Sequence, residues 1–185
     1  MDILEFFQLC EGKWVSQRTT HYLVEQKNQS DRSDLWVEFV DAADPVVAEL
    51  YQASAMPELP LGGLKIRWSE VAEAYQNKFK PKNEGSVLLV PLQGTEDAHA
   101  GQLLRQMGGE SLTGTYRFGA DEALTLYLNN QGFITEERLW FASPNLRLRS
   151  SFTRQEGTVC ITSFCSEIRM GATAPPAEAA QPSAP

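Results

Sequence analysis

A chain of 185 residues that is 42% hydrophobic and 10% aromatic can bury the core of one globular domain and still enclose a ligand cavity. Its formal charge of −8 argues against a nucleic-acid or anionic-membrane surface, because those partners reward a basic patch through counterion release and attraction. An anionic small ligand is not excluded, since a few arginines can gather inside an acidic shell.

In chain order, Ile3, Leu4, Phe6, Phe7 and Leu9 recur at helical spacing after Asp2, a good N-cap, and Gly12 closes the run. This predicts a short amphipathic helix. From there the period changes to two, in runs near 13–24, 33–40, 63–77, 85–91, 102–107, 112–119, 123–128, 132–142, 146–154 and 158–169, separated by Gly, Asn, Asp and Pro. Asp44-Pro45 opens one helical interruption, over 44–53. Strands in such a series predict an all-β, ten-stranded antiparallel up-and-down barrel. Closure removes the exposed sheet edges, and the Phe6 and Phe7 face of the first helix can cap one mouth. From Gly171 to Pro185 no large apolar residue remains, so the expected folded unit is 1–170, followed by a disordered Pro/Ala-rich tail over 171–185.

Cys10, Cys160 and Cys165 are odd in number and lack CxxC or paired-histidine spacing, which indicates neither a disulfide framework nor a zinc site. No apolar run approaches the roughly 18 residues of a membrane helix, and Asp2 and Glu5 stand where a secretory signal carries positive charge. The expectation is a soluble protein of the reducing cytoplasm.

The chemistry concentrates near the C-terminus. Glu136 to Arg149 reads as a hairpin turning at Ser143-Pro144-Asn145. Alternation puts Arg147, Arg149, Ser151 and Thr153 on one face of the next strand, and Leu146, Leu148, Ser150 and Phe152 on the other. With Ala142 facing Asn145 across the turn, Trp140 would pair with Arg147 and Arg138 with Arg149. That register sets like charges opposite each other, a conflict an anionic ligand would relieve. Guanidinium forks bind carboxylates and indoles stack on flat conjugated molecules, so the composition suits a planar dicarboxylate. The competing reading turns the leucines and Phe152 inward and the arginines to water, as charged residues usually are.

On the first strand, Trp14, Ser16, Arg18, Thr20 and Tyr22 share one face, and His21 lies on the other. Histidine is the side-chain type suited to moving a proton near neutral pH, which makes His21 a candidate proton carrier, although a lone strand histidine is more often a surface residue. Trp68 is a candidate pocket wall, with a core position as its ordinary alternative. On the last strand Glu167 offers a carboxylate for N–H donors of a ligand, with Cys165 on the same face. No GxSxG, P-loop, HExxH or GxGxxG pattern occurs, which removes most support for hydrolase, kinase and dehydrogenase readings.

Taken together, Phe6-Phe7, Gly12-Lys13-Trp14, Ser16-Gln17-Arg18-Thr19, His21, Glu137-Arg138-Leu139-Trp140-Phe141, Ser143-Pro144-Asn145-Leu146-Arg147-Leu148-Arg149 and Ser163-Phe164-Cys165-Ser166-Glu167-Ile168-Arg169 resemble the S-type phycobiliprotein lyases. The resemblance runs from the first helix to Met170. It implies a lipocalin-like barrel that binds phycocyanobilin or a related bilin as substrate, with no permanent cofactor and no metal. Such a lyase joins the bilin by a thioether to a cysteine of a phycocyanin β, allophycocyanin or phycoerythrin subunit, acting as a homodimer or as a heterodimer with a paralogue. By the same resemblance Arg18, Arg147 and Arg149 contact propionates or rings, Trp14, Trp68 and Trp140 wall the pocket, Ser151 assists binding, and Glu137, Glu167 and His21 are the candidate catalytic groups. This chain reads His21-Tyr22 where the family often has paired histidines, so a second imidazole is missing. A non-catalytic carrier of bilin or fatty acid and a pigment-free assembly chaperone are the alternatives.

Overall fold

The computed structural model describes residues 1–71, 83–94 and 99–171. Helix α1 (Ile3–Cys10) begins with a reciprocal capping box, in which the Glu5 N–H donates to Asp2 and the Asp2 N–H donates to the Glu5 carboxylate. Its buried stripe is Ile3, Phe6, Phe7 and Cys10, the i, i+3, i+4, i+7 set, whereas Leu9 is exposed.

The strands are β1 (Gly12–Tyr22), β2 (Lys27–Val40), β3 (Gly63–Glu70), β4 (Glu84–Pro91), β5 (Ala100–Met107), β6 (Glu110–Phe118), β7 (Leu124–Asn130), β8 (Phe133–Ser143), β9 (Leu146–Gln155) and β10 (Thr158–Arg169), with α2 (Pro45–Ser54) between β2 and β3. Each pairs antiparallel with its sequence neighbours, and β1 pairs with β10, so the sheet closes into the expected ten-stranded barrel. Strand β2 starts six residues earlier than its hydrophobic alternation suggests, at Lys27 rather than 33. Its polar first half is held by pairing with β1, from Tyr22↔Lys27 to Gln17↔Arg32, a tertiary cause that leaves no apolar pattern. The expected third strand ends at Glu70; its continuation to 77, like the expected tail from 172 onward, lies outside the described residues.

Two clusters divide the core. Inside the barrel, Phe6 and Phe7 of α1 close one end, with Phe6 meeting Phe118 and Phe141 edge-on at centroid distances of 5.4 and 5.2 Å. Each such buried ring contributes roughly 1.5–3 kcal/mol. Outside, α2 lays Val47 and Leu50 over Val40, Leu88, Val90 and Leu104. The unbroken run Val87-Leu88-Leu89-Val90 in β4 follows from this, since Val87 and Leu89 face the barrel interior while Leu88 and Val90 face α2.

Arg169 fastens the plugged end. Its guanidinium donates to the carbonyls of Leu9 (2.5 Å) and Glu11 at the C-terminus of α1, supplying donors that a helix end lacks. It also stacks 4.2 Å from the Trp14 ring, and the Trp14 indole N–H donates to the Cys10 carbonyl at 2.8 Å.

Candidate functional site

Above the Phe6 and Phe7 plug lies a cavity of about 500 Å³ inside the barrel. Leu35, Leu64, Leu89, Leu124 and Leu126 provide much of its apolar wall, and Trp68 covers part of the β3–β4 side. Trp68 faces Gly85 across the strand pair, and a Cβ at Gly85 would come within 2.5 Å of the indole. The missing side chain therefore lets the ring lie across β4.

The opposite wall, built from β8, β9 and β10, is charged. The Arg147 Nε donates to Glu167 Oε2 at 2.6 Å, Arg149 Nη2 lies 3.2 Å from Glu167 Oε1, and Arg149 Nη1 donates to Glu137 Oε1 at 3.0 Å. Two carboxylates and two guanidiniums thus alternate in one connected row. Glu167 is 0% exposed and Arg147 2%, whereas Arg149 and Glu137, at 18% and 23%, are the members open to the cavity. Arg147 also stacks 4.9 Å over Trp14, and its buried Nη1 has no hydrogen-bond partner among the described residues. Toward the mouth, Arg18 Nε donates to Cys165 Sγ at 3.2 Å, and the Ser151 and Ser163 hydroxyls are 2.8 Å apart.

The row behaves as fixed charge. Burial by itself pushes the Glu167 carboxyl up, but Arg149 and Arg147 outweigh it and hold the group below the usual carboxylate range. Burial likewise works against the Arg147 and Arg149 charges, and Glu167, joined by Glu137 at Arg149, more than restores them. The Cys10 thiol under the floor is pushed up by burial despite the nearby Arg147, so it stays neutral. At neutral pH, then, Glu167 is a carboxylate that orients cations and has no proton to donate.

Of the residues singled out from the sequence, Arg18, Trp68, Glu137, Arg147, Arg149, Ser151 and Glu167 line the cavity. Three do not. Trp14 is wholly buried below it, between Arg147 and Arg169. His21 is exposed on the outer face of β1, as alternation from Trp14 and Arg18 requires.

Trp140 points outward because the expected β8–β9 register is off by one residue. A bulge between Phe141 and Ser143 pairs Phe141 with Arg147, Trp140 with Leu148, Leu139 with Arg149 and Arg138 with Ser150. The like-charge conflict expected between Arg138 and Arg149 does not arise, since Arg138 instead pairs with Asp121 on the surface. The outward-arginine alternative is also overturned: Arg147 and Arg149 face in. Sequence reasoning missed Arg105 and Met107 of β5, which line the cavity at the two alternate positions after the buried Leu103.

A family model described as CpeS-like protein matches residues 2–170. The chain is 41% identical over 179 residues to the chromophore lyase CpcS/CpeS of Thermosynechococcus vestitus (strain NIES-2133 / IAM M-273 / BP-1), covering 95% of this chain and 96% of that one. It is 32% identical over 173 residues to the phycocyanobilin lyase subunit CpcS of Picosynechococcus sp. (strain ATCC 27264 / PCC 7002 / PR-6), covering 91% and 86% of the two chains. Among solved structures, the S-type phycobiliprotein lyase CPES from Guillardia theta superposes with a TM-score of 0.77 at 24% identity, over 94% of this chain and 95% of that one, a likeness of fold. With the whole barrel matched from α1 to the end of β10, the chain belongs to the CpeS-like protein family.

Proposed function

We propose that this protein is a bilin lyase: it holds an open-chain tetrapyrrole such as phycocyanobilin in the barrel and promotes its thioether attachment to a cysteine of a phycobiliprotein subunit. The observation that carries the reading is a cavity of about 500 Å³ with one wall of leucine and tryptophan and the other of inward-facing arginines and carboxylates. That pairing of surfaces suits a flat conjugated ligand with acidic side chains. The curated relatives named chromophore lyase and phycocyanobilin lyase subunit support it.

In the reaction the acceptor thiolate forms an S–C bond at the ethylidene carbon of the bilin's outer ring. The displaced electron pair moves into the conjugated system, which takes up a proton. The nucleophile belongs to the acceptor, so the lyase's contribution is to hold one ligand conformer and present one face. Arg149 faces the ligand, Glu137 accepts from pyrrole N–H groups, and Glu167 positions both arginines. Trp68 limits ring rotation, and Ser151 adds a hydroxyl near the mouth. His21, on the outer face, takes no part in this scheme. The compartment that fits three free cysteines is a reducing cytoplasm or stroma, and a dimer with itself or a paralogue is the assembly in keeping with a relative named as a lyase subunit.

The test is co-expression with a bilin-producing pathway and each candidate acceptor subunit, followed by denaturing electrophoresis. Covalent colour on one acceptor that depends on this chain is the expected result. A pigmented barrel beside colourless acceptors would replace the lyase reading with a carrier, and a barrel that leaves the spectrum of free phycocyanobilin unchanged would point to an assembly chaperone.

A further inference from the structure

Resting on the bilin reading, the charges of the cavity identify a carboxylate receptor on the wall away from the arginine row. Within that row the guanidiniums of Arg147 and Arg149 are matched by the carboxylates of Glu167 and Glu137, through contacts of 2.6 to 3.2 Å. A dianionic ligand placed against this neutral quartet gains two guanidiniums and meets two carboxylates at the same time. Arg147 is in any case 2% exposed, so the ligand reaches little of it.

Two other cavity-lining arginines make no ion pair among the described residues. Arg18 donates through Nε to Cys165 Sγ, and although Asp31 stands opposite it in the β1–β2 register, the two form no ion pair. Arg105 donates through Nη2 to Met107 Sδ at 3.0 Å. Its cross-strand neighbours are Leu89 on β4 and Leu112 on β6, so neither adjoining strand offers a carboxylate directly opposite it. The remaining acids of the cavity lining are engaged by other groups: Asp31 accepts from Gln29 Nε2 and Glu70 from the Asn83 N–H. The Arg105 guanidinium thus lines the cavity with a thioether as its hydrogen-bond partner, and it makes no ion pair among the described residues.

The strand order makes the arrangement usable. β1 and β5 stand on opposite sides of the ring, with β2, β3 and β4 between them one way and β6 to β10 the other. On β5 the interior positions run from buried Leu103 through Arg105 to Met107, and on β1 from buried Trp14 through Ser16 to Arg18. Both cations therefore stand toward the open end of the cavity, one on either side of it.

We infer that Arg105 is a carboxylate receptor of the bilin site and takes one propionate of the ligand across the cavity from Arg18, which with Arg149 takes the other. Arg147 and Arg149 are then chiefly the holders of Glu167 and Glu137. Arg18 and Arg105, neither in an ion pair among the described residues, equal in number the two propionates of the ligand.

The test compares phycocyanobilin with its dimethyl ester, titrated by visible absorbance into the full chain, Arg105→Leu and Arg105→Gln. Loss of a charge-assisted hydrogen bond predicts that Arg105→Leu weakens the diacid by roughly tenfold to a hundredfold. The ester, which has no carboxylate to lose, changes by less than about threefold, on the ordinary scale of surface substitutions. Arg105→Gln retains amide donors without charge and gives the same pattern; it decides the question if the leucine variant fails to fold. Equal losses for diacid and ester, or an unchanged diacid affinity, overturn the receptor assignment while leaving the bilin reading intact. A wild-type chain that binds neither pigment overturns both.

Discussion

Replacing Glu167 with Gln separates the two roles a buried carboxylate can have. In the native barrel Glu167 is fully buried, with Arg147 Nε at 2.6 Å and Arg149 Nη2 at 3.2 Å. Glutamine keeps the shape and removes the charge, leaving Arg147 buried without a counter-ion. Breaking a buried pair from one side costs about 3–5 kcal/mol, and a chain of this size loses roughly 2–4 °C of Tm per kcal/mol. The product is a fall of roughly 6–20 °C, a large share of the ~5–15 kcal/mol that stabilises a typical domain. The assay is thermal unfolding followed by far-ultraviolet circular dichroism, repeated across pH.

The sign of the pH dependence follows from the direction of the shift. Since the Glu167 carboxyl is held below its ordinary value in the native state, its stabilisation is fully present above the ordinary carboxylate range. That stabilisation is lost as pH falls through the lowered native value. Glu167→Gln therefore melts well below wild type at pH 7 and converges on it in acid. The double variant Glu167→Leu/Arg147→Met, which removes both charges at similar volume, recovers much of the loss. If Glu167→Gln melts within about 2 °C of wild type at neutral pH, corresponding to under ~1 kcal/mol, the row is not the electrostatic unit described.

Further outcomes can be stated. Arg149→Ala leaves Glu167 with Arg147 as a partner, so the barrel stays folded while bilin retention and transfer fall; an unchanged rate of acceptor colouring removes Arg149 from the site. Gly85→Ala sets a methyl where the Trp68 ring lies, at 2.5 Å, which forces the indole to move; a shifted tryptophan emission and weaker bilin binding are expected, and an unaltered emission spectrum would contradict the packing. Trp140→Ala changes bilin affinity by less than about twofold, as expected of a position outside the cavity, whereas Trp68→Ala lowers it severalfold, both read by absorbance titration. Arg169→Ala removes donors from the end of α1 and the cation from the outer face of Trp14, a loss of about 1–2 kcal/mol, measured by urea unfolding.

A period of two over ten short runs requires strands, and the scarcity of helix between them favours a closed meander, so the barrel and its capping helix were legible in the linear order of residues. Alternation also determined which side chains travel together: Arg147 with Arg149 and Ser151, Trp14 with Ser16 and Arg18, and His21 apart from them. It did not determine which set faces inward, because alternation is unchanged when the strand is turned over. Inward-facing arginines became tenable only when the pairing of β8, β9 and β10 brought Glu137 and Glu167 to either side of β9, supplying the counter-charges. Trp140 shows the same limit at the scale of one residue, since a single bulge near the turn moves every later partner by one place. Arg105 shows it at the scale of the whole barrel. Nothing near it along the chain distinguishes it from a solvated surface arginine. Only the ring of strands places it on the cavity wall opposite Arg18, where it lacks the counter-charge that Arg147 and Arg149 possess.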